Sequence, residues 1–333
     1  MLSIIVPCYN SGPYIARLLD SLVKQHYADM EVVLADDCSP EPYADIVKPY
    51  EDKLKIVWTK TEYNCCPGNT RQAGVDAASG DWITFSDHDD AWYPGAISKV
   101  MQAIKKNPGY NAVLTDFDEV EPKTDKVLQH DHMQYGWTHG KFYRRSWWDK
   151  HKLRYKKDLL SHEDIYIGSL VNCALFEDNQ TYLYVPVTTY KWTAHPESVS
   201  RSEDRSFIEN HFEEWLQATG YVYLDFYRNG GDYMFCAYHT LLVFLYCYFY
   251  IMGFMFHDPE NYLKENPGIA GAYMHAMMET LEETPGTIFQ AAGAQHGSLW
   301  LSVERQAEKA VGGYIPCMSF HEFMTKLSAV PKE

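Results

Sequence analysis

The sequence predicts an α/β fold, with a mostly parallel sheet and helices on both of its faces, followed by a mainly helical C-terminal region. Over residues 1–120, short apolar runs alternate with stretches of helical spacing, and polar residues follow the runs where strands would end. Strand, helix and strand in this order favour parallel pairing with right-handed crossovers. The alternation is lost further along the chain. We therefore expect one domain at residues 1–200 and a helical region at 201–333 that packs on it.

Runs rich in β-branched and apolar residues predict the strands of the first domain. They lie at 3–7, 31–35, 55–59, 82–85 and 111–117, and two shorter pieces follow at 182–187 and 188–192. The first crossover helix is predicted by an apolar stripe at helical spacing, formed by Ile15, Leu18, Leu19, Leu22 and Val23. In sheets of this kind ligands bind at the carboxyl ends of the strands.

The composition indicates an ordered, acidic protein. The chain has 333 residues, 15% of them aromatic, and a formal net charge of -16 at pH 7. An acidic surface disfavours broad electrostatic binding to nucleic acid or anionic lipid, whose phosphates favour basic surface. The 8 cysteines form no C-x-x-C pair and no spacing with histidine suited to zinc, which favours free thiols in a reducing compartment.

Two segments bear on localisation. The N-terminus begins directly with a strand-like stretch and has no secretory signal pattern, so we expect a cytoplasmic protein. Residues 241–256 are apolar or aromatic throughout, but they fall short of the roughly 20 residues needed to span a bilayer. We interpret this run as a buried helix, with peripheral membrane contact as the alternative.

An acidic group follows the fourth predicted strand, where Asp87, Asp89 and Asp90 surround His88. Residues i and i+2 of an extended chain point the same way, and clustered like charges need a cation or a bound group to compensate them. Mg²⁺ or Mn²⁺ suits this role, because such ions take few protein carboxylates and complete their shell with water or phosphate. The alternative is that Asp89 or Asp90 caps a helix near Pro94.

Two further stretches have the chemistry to bind a nucleotide. Asp36 and Asp37 follow the second strand, where they form either an Asx turn or a carboxylate site for a ribose hydroxyl or a base N–H. Arg71 lies in the first turn of the predicted third crossover helix. A guanidinium at a helix N-terminus favours anions such as a diphosphate, although a solvated arginine explains the pattern equally well.

Candidates for acid–base chemistry lie later in the chain. Glu163 and Asp164 open a predicted helix, with Ser161 as its cap. The acids are either favourable charges at the positive end of the helix or a general base held near the crevice. His195 is an ordinary surface histidine unless a metal lies near it.

In this order the motifs resemble those of the family 2 inverting glycosyltransferases of the GT-A fold. The resemblance runs through SIIVPCYN, LADDCSP, the stretch from NCCPGNTRQAG to FSDHDDAW, KFYRRSWW, SHED and HPESVSRS, over about 200 residues. It implies a GT-A nucleotide-sugar-binding and catalytic domain at 1–200. The chain departs from the pattern at His88, where the family has a small residue, and at Gln72, where it has asparagine.

The resemblance also implies a role for each matching residue. Asp164 would be the catalytic base that takes the acceptor proton, supported by Glu163. Asp89 would be the direct metal ligand for Mn²⁺ or Mg²⁺, with Asp87 and His195 near the ion. The residues that bind the donor would be Pro7 and Tyr9 at the base, Asp36 or Asp37 at the uridine or ribose, Arg71 at the diphosphate and Asp87 near the ribose.

The function implied is transfer of a sugar, with inversion, from a nucleotide donor, most simply a UDP-sugar, to an acceptor hydroxyl. The acceptor would be a glycan or a lipid-linked sugar, with a protein or a modified nucleobase ranked lower. Two alternatives stay open. One is a sugar-nucleotide-binding module without catalysis. The other is a nucleotidyltransferase, for which we would expect a glycine-rich phosphate loop where CYNSGPY stands.

Overall fold

The computed structural model describes residues 1–121, 124, 126–130, 137–157, 159 and 162–194, together with 218, 221–222, 225–226 and 229–231. The chain divides into two compact units, Met1–Glu203 and Asp204–Glu333. Almost all of the predicted helical region 201–333, the apolar run 241–256 and His195 lie outside the described residues. The predictions made for them stay predictions.

Within the described residues, the first unit contains a 9-stranded sheet. Its strands are β1 (Leu2–Cys8), β2 (Met30–Asp36), β3 (Lys55–Lys60), β4 (Trp82–Phe85), β5 (Ala91–Trp92), β6 (Ala112–Glu121), β7 (Lys126–His130), β8 (Lys141–Arg144) and β9 (Leu183–Thr193). The helices are α1 (Ile15–Val23), α2 (Ala44–Val47), α3 (Pro67–Ala77), α4 (Ala96–Lys106), α5 (Arg145–Lys150) and α6 (Glu163–Glu177), with a 3-10 turn at Lys48–Tyr50.

The strand order is β3-β2-β1-β4-β8-β6-β9-β5, and β7 pairs with β6. The first four strands are parallel, as the alternating sequence predicts. β8 is antiparallel to both β4 and β6, whereas β6 and β9 are parallel. The predicted α/β class, with helices on both faces, is confirmed. The two short pieces predicted at 182–187 and 188–192 form the single strand β9.

The register brings the ends of the first strands to one edge. Cys8 at the end of β1 lies opposite Asp36 at the end of β2, and Ile5 of β1 lies opposite Phe85 at the end of β4. The turn that follows β4 therefore emerges beside the loop that follows β1. This common edge brings the polar residues after β1, β2 and β4 to the same side of the sheet.

The core packs on both faces of the sheet. On one face, α1 buries the predicted stripe completely at Ile15, Leu18, Leu19 and Leu22, while Val23 is exposed. On the other face, α3 lies against β1 and β2 so closely that a Cβ atom at Gly74 would be 2.4 Å from Ile5 Cγ2. This close packing fixes the first turn of α3, and Arg71 with it, against the sheet.

In the part of the chain that the structure describes, no helix is both long enough and apolar enough to cross a membrane.

Candidate active site

The acidic turn after β4 is anchored to β9. The main-chain N–H of Asp87 donates to the hydroxyl of Tyr190 over 2.8 Å, and that hydroxyl donates to Asp90 Oδ2 over 2.7 Å. The main-chain N–H of Thr193 adds a bond of 2.6 Å to Asp90 Oδ1. Burial, together with the neighbouring charges of Asp87 and Asp89, raises the pKa of Asp90 well above its usual value. Asp90 is therefore a structural acid that fastens the turn.

The alternative that Asp89 or Asp90 caps a helix is wrong. The next helix, α4, begins at Ala96 and is preceded by Gly95 in the left-handed region at φ 67, and none of the described side chains caps it. Asp90 binds β9 instead, so helix capping does not explain the acids of this turn.

Arg71 links this turn to the acids of α6. Its side chain is 5% exposed, and its Nη2 donates to Asp87 Oδ1 over 2.9 Å. Its Nη1 donates to Glu163 Oε1 over 2.5 Å and lies 3.5 Å from Asp164 Oδ1. Burial alone would raise the pKa of Asp87, but Arg71 and then His139 hold it below its usual value. Arg71 thus faces three carboxylates here, and its predicted contact with a diphosphate stays a prediction.

Glu163 and Asp164 form the first turn of α6, as predicted. The residue at the N-cap is His162, in the left-handed region at φ 58, and no described side chain caps this helix. The predicted cap, Ser161, lies outside the described residues. Thr138 Oγ1 donates to Asp164 Oδ2 over 3.5 Å. Burial raises the pKa of Asp164 to about 6 although Arg71 opposes the shift. A carboxylate with this pKa is ionised at neutral pH and is more basic than an ordinary aspartate, which suits a general base.

The sequence does not predict that two basic residues are buried in this region. The His139 ring stacks on Tyr190, with centroids 4.9 Å apart and planes at 12°, and burial lowers its pKa. Lys141 is also buried, and burial lowers its pKa to about 7 although Asp164 opposes the shift. The sequence offers no local signal for either residue, because both reach the site only through the antiparallel insertion of β8 beside β4.

The acids and His139 have a donor set that suits a divalent cation. Ligand atoms of Asp87, Asp90 and His139 lie within 4.8 Å of one another. Of the predicted metal ligands, Asp87 belongs to this group and His195 lies outside the described residues. Asp89 is half-buried, and Arg17 holds its main-chain oxygen by a hydrogen bond. A few carboxylates beside a neutral imidazole fit Mn²⁺, or Mg²⁺ bound through the carboxylates, with phosphate or water completing the shell.

The neighbouring strand ends carry the residues predicted to bind a nucleoside. Tyr9, after β1, is 45% exposed. Asp37 is buried and bound to the loop that follows β3, because it accepts hydrogen bonds from Thr61 Oγ1 over 2.8 Å and from the N–H of Cys65 over 3.1 Å. Asp36 accepts a hydrogen bond at Oδ2 from the main-chain N–H of Ser39 over 3.3 Å, and it lines an open cleft of about 540 Å³. Of the two predicted alternatives, this arrangement favours Asp36 as the carboxylate that meets a ligand.

Residues 3–177 match the model of the family described as glycosyl transferase family 2. An uncharacterized glycosyltransferase of Haemophilus influenzae is 36% identical over 113 residues, which are 34% of this chain and 37% of that protein. A Campylobacter jejuni GalNAc(5)-diNAcBac-PP-undecaprenol β-1,3-glucosyltransferase is 33% identical over 116 residues, 34% of this chain and 37% of that protein. The matched segments thus span about a third of each of these relatives.

The chain also resembles TarS, the poly(ribitol-phosphate) β-N-acetylglucosaminyltransferase of Staphylococcus aureus. The sequences are 42% identical over 91 residues, 26% of this chain and 16% of TarS. The crystal structure of TarS residues 1–349 in complex with UDP-GlcNAc superimposes with a TM-score of 0.66 at 19% identity, covering 93% of this chain and 90% of that one. At this identity the likeness shows a shared fold.

Proposed function

This chain belongs to glycosyl transferase family 2 and has its GT-A fold, and we propose that it is an inverting glycosyltransferase. It would move a sugar from a UDP-sugar to an acceptor hydroxyl. The observation that carries the proposal is the meeting of two acidic motifs around one arginine: Arg71 contacts both Asp87, after β4, and Glu163, at the start of α6. The acid proposed for the donor side and the acids proposed for the base thereby meet at the same arginine.

In the proposed mechanism Asp164 accepts the proton of the acceptor hydroxyl. The hydroxyl oxygen then attacks the anomeric carbon from the face opposite the departing diphosphate, so the configuration at that carbon inverts. Because the pKa of Asp164 is about 6, the carboxylate is ready to take a proton at neutral pH. Glu163 and Arg71 would position Asp164 by fixing the first turn of α6 against α3.

A divalent cation, when bound, would stabilise the negative charge that grows on the leaving diphosphate. Asp89 and Asp87 would hold it, with His139 beside them and the predicted ligand His195 approaching from later in the chain. The protein itself would hold these ligands in place. Tyr190 and Thr193 do so by anchoring the turn through Asp90.

The relatives support a particular class of substrate. TarS has been crystallised with UDP-GlcNAc, and the name of the C. jejuni relative describes glucosyl transfer to an undecaprenol-linked glycan. We therefore propose a UDP-hexose or UDP-N-acetylhexosamine as donor, and a glycan or lipid-linked sugar as acceptor, in the cytoplasm. Pro7 and Tyr9 would line the base, and Asp36 would meet the uridine or ribose. Peripheral membrane contact through 241–256 stays a prediction.

The direct test replaces Asp164 with asparagine, which keeps the shape of the side chain and removes its basicity. UDP release from a panel of UDP-sugars with Mn²⁺ should fall by about 10²- to 10⁴-fold in kcat, while UDP binding measured by calorimetry is retained. Asp149→Asn is the matched control, because Asp149 is a half-exposed acid on α5 that pairs with Arg145.

Two results would count against the proposal. Wild-type protein that binds UDP but releases none from any UDP-sugar would favour a binding module without catalysis. An active Asp164→Asn variant would remove Asp164 from the role of base and leave the donor assignment intact.

A further inference from the structure

His88 lies between Asp87 and Asp89, and the mechanism above does not use it. Its Nδ1 is 3.2 Å from the main-chain oxygen of Pro7, at the end of β1. A carbonyl oxygen can only accept a hydrogen bond, so Nδ1 must carry the hydrogen. In the neutral imidazole this bond fixes the tautomer and leaves Nε2 as an acceptor with a free lone pair.

The imidazole is held in place by its surroundings. The ring of Tyr14 packs near it, with centroids 6.0 Å apart. The main chain on both sides of His88 is also fixed, because the N–H of Asp87 donates to Tyr190 and the oxygen of Asp89 accepts from Arg17. No described residue makes a hydrogen bond to Nε2, and the side chain is half-buried. His88 therefore presents a preorganised acceptor at the crevice.

The chemistry of Nε2 narrows what it can bind. In the neutral ring Nε2 accepts a hydrogen bond, so its partner must donate one. The oxygens of an ionised diphosphate only accept hydrogen bonds and do not meet this requirement. The ligand atoms that converge in the described structure come from Asp87, Asp90 and His139, and Nε2 of His88 is not among them. Ribose hydroxyls, in contrast, can donate a hydrogen bond, and a ribose joined to a diphosphate held beside Asp87 and Asp89 would lie next to His88.

We infer that His88 Nε2 accepts a hydrogen bond from a ribose hydroxyl of the donor, and that it helps the site to select ribonucleotides over deoxyribonucleotides. This inference rests on the proposed function, since it requires a nucleoside diphosphate sugar in the crevice. It assigns His88 two bonds on opposite sides of its ring, one to the protein and one to the donor.

Two substitutions separate the two bonds. In His88→Asn the side-chain amide can still donate to Pro7 from a position near Nδ1, but nothing replaces Nε2. In His88→Gln the longer amide reaches the position of Nε2, while the bond to Pro7 is lost. His88→Ala removes both. Thermal melts of the full chain would report whether each variant is folded.

The experiment measures calorimetric affinity for UDP, 2′-deoxy-UDP and 3′-deoxy-UDP at constant Mn²⁺. The wild type should bind UDP about three- to tenfold more tightly than one of the deoxy analogues, as expected for one neutral hydrogen bond. This preference should disappear in His88→Asn and His88→Ala and survive in part in His88→Gln. The ratio of affinities is decisive, because a purely structural role would weaken UDP and its analogues alike.

The inference is overturned if His88→Asn keeps the wild-type ratio, or if it loses affinity equally for all three nucleotides. Either result leaves the proposed function standing as long as the wild type binds UDP. If the wild type binds none of the three, the donor assignment itself fails, and the inference fails with it.

Discussion

Replacement of Arg71 by methionine tests whether this residue holds the site together. The guanidinium is 5% exposed and lies against Asp87, Glu163 and Asp164. Removing one partner of a buried ion pair costs about 3–5 kcal/mol, because the other partner is left uncompensated. The side chains of these acids are 28%, 12% and 20% exposed, so water compensates part of their charge. We therefore expect a loss near the lower end, about 3 kcal/mol in the free energy of unfolding.

The loss should depend on pH. Arg71 lowers the pKa of Asp87 and opposes the rise in that of Asp164, so both pKa values should be higher in the folded variant. An acid whose pKa is raised by folding destabilises the protein above that pKa, and the destabilisation disappears as the acid is protonated. In the wild type, the lowered pKa of Asp87 contributes stability that is lost only below the usual pKa of an aspartate, so this contribution stays constant between pH 7 and pH 5. The difference between wild type and variant should therefore shrink between pH 7 and pH 5.

The assay is urea unfolding of the full chain, followed by tryptophan fluorescence at both pH values. Arg154→Met is the matched control, because Arg154 is 46% exposed and its pair with Asp149 spans 3.4 Å. An exposed pair of this kind contributes about 0–1 kcal/mol. A loss below about 1 kcal/mol in Arg71→Met, or a loss that is the same at pH 7 and pH 5, would show that Arg71 does not hold these acids together.

Three further predictions concern the pH dependence of catalysis, the packing of α3 on the sheet and the metal site. The kcat for sugar transfer should fall as pH drops through about 6, because Asp164 must be ionised to take a proton. A kcat that stays constant from pH 5 to pH 8 would contradict this. Gly74→Ala should lower the free energy of unfolding in urea by about 1–3 kcal/mol, because the added Cβ would lie 2.4 Å from Ile5 Cγ2. Gly109→Ala is the control, since no described heavy atom lies within 4 Å of its Cβ. Asp89→Asn should weaken Mn²⁺ binding by at least about 10- to 100-fold, because loss of a residue that merely supports a metal ligand already costs that much. Electron paramagnetic resonance would follow the binding, and an unchanged affinity would exclude Asp89 as a ligand.

The elements of the first half of the chain could be predicted because their signals are local. The stripe from Ile15 to Leu22 predicts α1 from periodicity alone, and the β-branched run at 31–35 predicts β2 in the same way. The edge at which ligands bind follows from parallel pairing, which needs only the alternation of strands and helices.

The contacts that shape the site could not be predicted, because they join residues far apart in sequence. Arg71 and Glu163 are 92 residues apart, and Tyr190 and Asp90 are 100 apart. Helix capping was predicted from short patterns around Asp90 and Ser161. At Asp90 tertiary contacts decided otherwise, and Ser161 lies outside the described residues. Asp90 binds β9, and His162 at the start of α6 adopts a left-handed conformation.

The anomeric configuration of the first product shows whether this protein transfers sugar with inversion. Wild-type protein is supplied with an α-linked UDP-hexose and Mn²⁺, and the sugar released to water or to an added acceptor is observed by proton NMR before it equilibrates. A single displacement assisted by Asp164 predicts that the first product is the β anomer. An α product would contradict inversion, and with it the assignment of Asp164 as the base of a one-step transfer.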